Sequence, residues 1–185
     1  MRAFQKDLIP DLNIAINISA RHFMNQSLIE SIVSGLEITG FNPGSFILEV
    51  SENLIMQDPT LTFEILGKLR KYGVRIVIDN FGSGYSSLKY LQEFEVDFIK
   101  IDRALVQNVF SGPQSKALLL AIITLAKNLG IKVIAEGVET KEQYEFMVNN
   151  GCDEIQGYYI CRPVLASELN KFLEKSRTGV DVAIV

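Results

Sequence analysis

The chain has 185 residues, with 18 Lys and Arg against 22 Asp and Glu and a formal net charge of −4. Its 48% hydrophobic and 22% charged residues are the make-up of a soluble globular domain, and the length predicts one domain whose core needs no disulfide or zinc staple. The acidic balance argues against a sequence-blind grip on a nucleic-acid polymer, which needs clustered Lys and Arg.

Residues 1–12 read as the tail of a helix and a turn at Pro10, as if something upstream were absent. A strand is expected at 13–18, then a helix at about 27–39 closed by Gly40. A second strand at 46–51 leads to Asp58-Pro59, an N-cap with proline at the first helical position, and a helix over 59–72. Strand 74–79, helix 86–94, strand 96–101 and helix 114–129 follow. Strand 131–136, helix 141–150, strand 154–158 and a last helix at 166–176 complete the series. The tail at 180–185 is apolar and β-prone; it is either an unstructured end or a strip covering an open sheet edge.

The strands are short, near-continuous runs of Ile, Val, Leu and Phe, as buried parallel strands are. Gly40, Gly73, Gly130 and Gly151 fall just past helices, where glycine closes the last turn. Alternating strands and helices predict parallel βα units. Six such units fit either an open doubly wound sheet or a (β/α)-barrel lacking two of its eight.

Each strand run ends in a hydrogen-bonding or charged side chain: Asn17, Glu49, Asp79, Lys100, Glu136 and Gln156. Side chains alternate along a strand, so these residues face away from the Ile, Leu and Val beside them. Ligands of α/β folds bind at the carboxyl ends of the strands. Gathering charges at one mouth is poor folding chemistry, because buried charge is costly unless paired or metal-bound. Carboxylates with an amide oxygen, and hardly any nitrogen or sulfur, favour a hard cation such as Mg²⁺ or Mn²⁺. Such ions polarise phosphoryl oxygens and activate water, and the lysine would hold a phosphate or that water.

Plainer readings stand beside these. Asn17 could end a strand in a turn, Glu49 and Glu52 could form surface ion pairs, and Asp79 could cap the next turn. Lys100 and Asp102 could pair with each other, and Glu136 and Glu139 could mark a solvated helix start. The Gly82-Ser83-Gly84 loop, taken alone, could be a plain tight turn rather than a phosphate cradle.

A single histidine, His22, excludes a multi-histidine zinc site and reads as a surface residue. Cys152 and Cys161 match neither CxxC nor a disulfide framework; they read as packing residues in a reducing cytosol. No secretory pattern opens the chain, and its longest apolar stretch, 117–126, is far below the roughly 20 residues of a membrane span. A cytoplasmic protein without membrane contact is therefore expected.

Six motifs run in order through nearly the whole chain: Asn17-Ile18-Ser19, Glu49-Val50-Ser51-Glu52, Asp79-Asn80-Phe81-Gly82-Ser83-Gly84-Tyr85-Ser86-Ser87-Leu88, Val96-Asp97-Phe98-Ile99-Lys100-Ile101-Asp102, Val133-Ile134-Ala135-Glu136-Gly137-Val138-Glu139-Thr140, and Gln156-Gly157-Tyr158-Tyr159 followed by Arg162-Pro163. On these the chain resembles the EAL-domain cyclic di-GMP phosphodiesterases. The resemblance implies a TIM-type (β/α)-barrel of about six of eight units, a partial domain over 1–175, and a tail over 176–185. It implies opening of cyclic di-GMP to linear 5′-pGpG with Mg²⁺ or Mn²⁺. Asn17, Glu49 and Asp79 would be metal ligands, with Asn80 at a further metal position. Lys100 would orient the lytic water and contact phosphate, and Glu136 would complete the metal and water arrangement. Asp102, Glu139, Gln156 and Pro163 would support the site or substrate. Glu52 would steady the loop over 81–87, which in the family couples metal binding to a dimer contact. A homodimer and upstream sensory or GGDEF-type domains are the implied partners beside cyclic di-GMP.

Two departures bear on activity. Glu-Ala-Leu does not occur in the sequence, which by the resemblance is expected to start after the strand that carries it, and Asp79-Asn80 stands where the family has two aspartates. Cation affinity follows ligand charge, so this chain alone is expected to be weak or inactive. The alternative is a degenerate domain that serves as a cyclic di-GMP receptor or an interaction module.

Overall fold

The structure is a computed structural model and describes residues 12–25, 27–84, 88–165 and 168–169. The expected turn at Pro10, most of the helix expected at 166–176 and the tail at 180–185 lie outside the described residues. The chain divides into two compact units, Met1–Phe98 and Ile99–Val185.

In the first unit the described elements are β1 (Ile14–Asn17), α1 (Ala20–Phe23), α2 (Leu28–Thr39), a 3-10 turn (Pro43–Ser45), β2 (Phe46–Ser51), α3 (Glu52–Gln57), α4 (Pro59–Lys71), β3 (Arg75–Phe81) and α5 (Leu88–Glu93). The strands lie parallel in the order β1-β2-β3. Leu48, Val50, Ile76 and Ile78 alternate along β2 and β3 with Ile47, Glu49, Val77 and Asp79, and all eight are buried. Both faces of these strands are therefore covered, as in a parallel sheet. Leu66 and Leu69 of α4, the helix packed on β3, are fully buried.

In the second unit are β4 (Phe98–Ile101), from Ile99 on, α6 (Arg103–Gln107), α7 (Pro113–Asn128), β5 (Lys132–Glu136), α8 (Lys141–Asn150) and β6 (Glu154–Gln156). The order is β4-β5-β6, and β5 and β6 run parallel. Thr140 and Gln143 close a capping box at the start of α8. No helix among the described residues is long and apolar enough to cross a membrane.

The four glycines expected to close helices all have positive φ. The short helices α1, α3 and α6 are additional to the predicted series. Each starts at a side-chain cap directly after a strand: Ser19 accepts from His22 N, Ser51 from Leu54 N and Asp102 from Ala104 N. A helix of one or two turns leaves too little periodicity to read, and its cap supplies much of its definition.

One connecting device occurs in both units. Asp97, just before β4, donates its N–H to Ile76 O at 3.1 Å while its Oδ2 accepts from Ile76 N at 2.8 Å. Asp153, just before β6, does the same with Val133, at 2.9 Å and 2.8 Å. Asp97 is further held by Arg70 Nη1 at 2.5 Å. In each case the carboxylate closes a reciprocal bridge to the second residue of an earlier strand. Asp153→Ala would leave the N–H of fully buried Val133 without its acceptor. A loss of about 1–3 kcal/mol in urea unfolding is expected, against a much smaller loss for Asp153→Asn, which keeps an acceptor oxygen.

Candidate functional site

The registers of the first unit gather an oxygen-donor set. Asn17 on β1 is the partner of Glu49 on β2, Glu49 is the partner of Val77 on β3, and Asp79 lies two residues beyond Val77. Register partners in a parallel sheet share a face, as do residues two apart in one strand. Asn17, Glu49 and Asp79 therefore share one face, with Asp79 displaced about 6.6 Å toward the strand end. Glu49 and Asp79 are buried, at 2% and 9% exposure, and Asn17 is exposed.

Glu52 opens α3 and is buried as well. Its Oε2 accepts from Gly82 N at 3.2 Å, tying the turn after β3 to α3. Its Oε1 has no hydrogen-bond partner among the described residues. Neither Glu49 nor Glu52 is a surface ion-pair residue.

Asn80 is the one non-glycine residue with positive φ among the described residues, at 57°. Asparagine tolerates this left-handed conformation better than most side chains. Its Nδ2 donates to Asp79 Oδ2 at 2.9 Å, and its carbonyl accepts from Ser83 Oγ at 2.8 Å. A carboxylate can only accept, so the amide nitrogen, not its oxygen, faces Asp79. The residue supplies a hydrogen-bond donor where a second negative charge would otherwise stand.

In the second unit, Lys100 is buried on β4 between fully buried Ile99 and Ile101. Asp102 is the cap of α6, its Oδ1 accepting from Ala104 N at 2.8 Å. Glu136 ends β5 in register with Gln156, whose buried Oε1 has no hydrogen-bond partner among the described residues. Glu139 Oε1 accepts from Arg103 Nη2 at 2.6 Å and from Gln107 Nε2 at 2.9 Å. Pro163 is exposed.

The glutamate loop after β5 is locked to the end of β6. Val138 N donates to Gln156 O at 3.1 Å and Tyr159 N to Val138 O at 3.0 Å. A β-carbon on Gly157 would stand 2.1 Å from Val138 O, so only glycine allows this approach.

His22 lies exposed, with Nδ1 3.1 Å from Ser19 Oγ. Cys152 and Cys161 are free thiols. Burial first, and then the negative charge of Asp153, push the Cys152 thiol up to about 12. It stays protonated at neutral pH and makes no nucleophile. Among the described residues no group of three or more His, Cys, Asp and Glu is arranged to hold a metal. The oxygen set of the first unit reaches three members only through the amide of Asn17.

The EAL domain profile matches residues 1–163. The chain belongs to the EAL domain family. It is 40% identical over 159 residues to the bifunctional diguanylate cyclase/cyclic di-GMP phosphodiesterase MucR of Pseudomonas aeruginosa, covering 86% of this chain and 23% of that protein. It spans about a fifth to a quarter of the curated relatives it matches. The solved structure of the MucR phosphodiesterase in complex with c-di-GMP superposes with a TM-score of 0.88 at 38% identity, over 91% of this chain and 68% of that one. The EAL domain of Mycobacterium smegmatis DcpA gives 0.88 at 33% identity, over 94% and 78%. Klebsiella pneumoniae BlrP1 with manganese and cyclic di-GMP gives 0.79 at 29%, over 88% and 41%. The EAL chain described here thus has the α/β, TIM-type barrel fold in incomplete form, with six strands among the described residues.

The pairing of Arg103 and Gln107 with Glu139 was not legible in the sequence. Their shared partner Glu139 lies 36 and 32 positions away, and no local pattern marks the pairing.

Proposed function

We propose that this EAL segment belongs to a metal-dependent phosphodiesterase that opens cyclic di-GMP to linear 5′-pGpG, and that Asn80 leaves it with weak activity. The observation that carries this is the shared face of Asn17, Glu49 and Asp79. Two buried carboxylates and an amide oxygen suit a hard divalent cation in donor chemistry. Bound there, Mg²⁺ or Mn²⁺ supplies phosphoryl polarisation and an activated water. Glu49 and Asp79 provide the charge, and Asn17 a neutral oxygen. Lys100 carries the positive charge for phosphate and orients the water. Glu136 is assigned as a further ligand and water-holding group. Glu52 anchors the turn at Gly82, while Asp102, Glu139, Gln156 and Pro163 support the substrate side.

Complexes of MucR and BlrP1 with the cyclic dinucleotide support this choice of substrate. The cyclase in MucR's name supports a setting in which the segment follows sensory or GGDEF-type domains in a cytoplasmic signalling protein. Dimerisation belongs to the same reading.

A second reading is favoured by the Asn80 amide facing Asp79: the segment binds cyclic di-GMP as a receptor without turning it over. Incubation with cyclic di-GMP and Mn²⁺, followed by chromatography of the linear product, separates the two. Slow, metal-dependent product formation is expected. Glu49→Gln should reduce it by at least roughly 10- to 100-fold, the loss typical of a group that merely supports a metal ligand. Heat on titration with the dinucleotide but no product would select the receptor. No product and no heat from folded protein would falsify both.

A further inference from the structure

The side chain of Arg103 touches the loops that follow two different strands. Its stem crosses Gly137 so closely that a β-carbon there would stand 2.3 Å from Cγ and 3.0 Å from Cβ and Cδ. Its Nη2 donates to Glu139 at 2.6 Å. Its guanidinium lies 5.9 Å from the centroid of the Tyr158 ring, which Arg162 also approaches, at 4.7 Å. Gln107, one turn along α6, donates to the same Glu139 oxygen. Gly137 directly follows Glu136, and Tyr158 stands two residues after Gln156. The helix that carries both donors is capped by Asp102, two residues after Lys100.

An ion pair this exposed, with side chains 52% and 38% accessible, adds little to stability. Its geometry is nonetheless fixed, by a planar guanidinium whose stem is wedged against a glycine backbone. The left-handed φ of 76° at Gly137 sets the direction in which the chain leaves Glu136, and the Arg103 stem lies on that bend. We propose that Arg103, helped by Gln107, is a positioning residue: it clamps the 137–139 backbone and so fixes the orientation of Glu136. The role in turnover rests on the phosphodiesterase reading above; the clamp itself does not.

The test compares wild type with Arg103→Met, which keeps the stem without the charge, and Arg103→Lys, which keeps the charge without the fork. Thermal midpoints are expected to stay within a few degrees of wild type. Hydrogen exchange of the Val138 and Glu139 amides should accelerate roughly ten-fold or more in Arg103→Met, with α7 unchanged. Turnover of cyclic di-GMP with Mn²⁺ should lose kcat by roughly ten-fold with KM nearly unaltered, and Arg103→Lys should recover part of it. Unchanged exchange at 138–139 overturns the clamp, whatever the activity. Altered exchange with an unchanged kcat overturns the positioning of Glu136. If wild type shows neither turnover nor binding of the dinucleotide, the functional reading fails, and exchange alone still decides the clamp.

Discussion

Asn80→Asp is expected to tighten Mn²⁺ binding by roughly ten-fold or more, because cation affinity is tuned by the charge of the ligand set. The same change should destabilise the metal-free protein. The wild-type amide donates to Asp79 Oδ2 at 2.9 Å. An aspartate there removes that bond and sets two carboxylates side by side, a loss of about 1 kcal/mol. The backbone adds little to this, since aspartate also tolerates the positive φ at position 80. The two effects have opposite signs, which gives a distinctive signature. Thermal midpoints should fall below wild type without metal and rise above it with millimolar Mn²⁺. Hydrolysis of cyclic di-GMP should increase in parallel. A variant whose midpoint responds to Mn²⁺ no more than wild type would show that charge at position 80 does not limit metal binding. A gain in metal binding without a gain in hydrolysis would favour the receptor reading.

Much of this fold was legible because buried parallel strands leave a plain mark. The apolar runs located the six strands of the described residues, and the polar ends at Asn17, Glu49 and Asp79 fell on one face, as alternation requires. The run at 96–101 overreached. Asp97 turns out of the strand to bond with Ile76, and apolar content alone cannot distinguish a strand residue from a bridge residue beside it. The single-turn helices escaped because caps at Ser19, Ser51 and Asp102 define them more than periodicity does. At Asn80 the sequence showed a missing charge, while the amide's hydrogen bond to Asp79 needed the local turn. Arg103 and Gln107 were silent because their chemistry lies in a partner more than thirty residues away. Local propensity does not encode such pairings.

Gly157→Ala is expected to be among the most damaging single-methyl additions to this chain. The new β-carbon would stand 2.1 Å from Val138 O, 2.4 Å from Val138 N and 2.7 Å from Val138 C. These are backbone atoms, so no side chain can swing aside. Val138 is fixed on both sides, by its N–H to Gln156 O and by Tyr159 N to its carbonyl. Relief requires breaking at least one of these bonds and parting the loops that follow Glu136 and Gln156. Overpacking of this kind costs about 3 kcal/mol when the neighbours cannot yield. For a domain of this size that is a fall in thermal midpoint of roughly 6–12 °C. Gly35→Ala in α2 provides the contrast. A β-carbon there meets nothing within 4 Å, and alanine should stabilise the helix by about 0.5–1 kcal/mol. Urea unfolding of the two variants should therefore shift in opposite directions. Equal, small shifts would mean that the Val138–Gly157 contact opens readily in solution. In that case Glu136 and Gln156 would not be held in the register seen between β5 and β6.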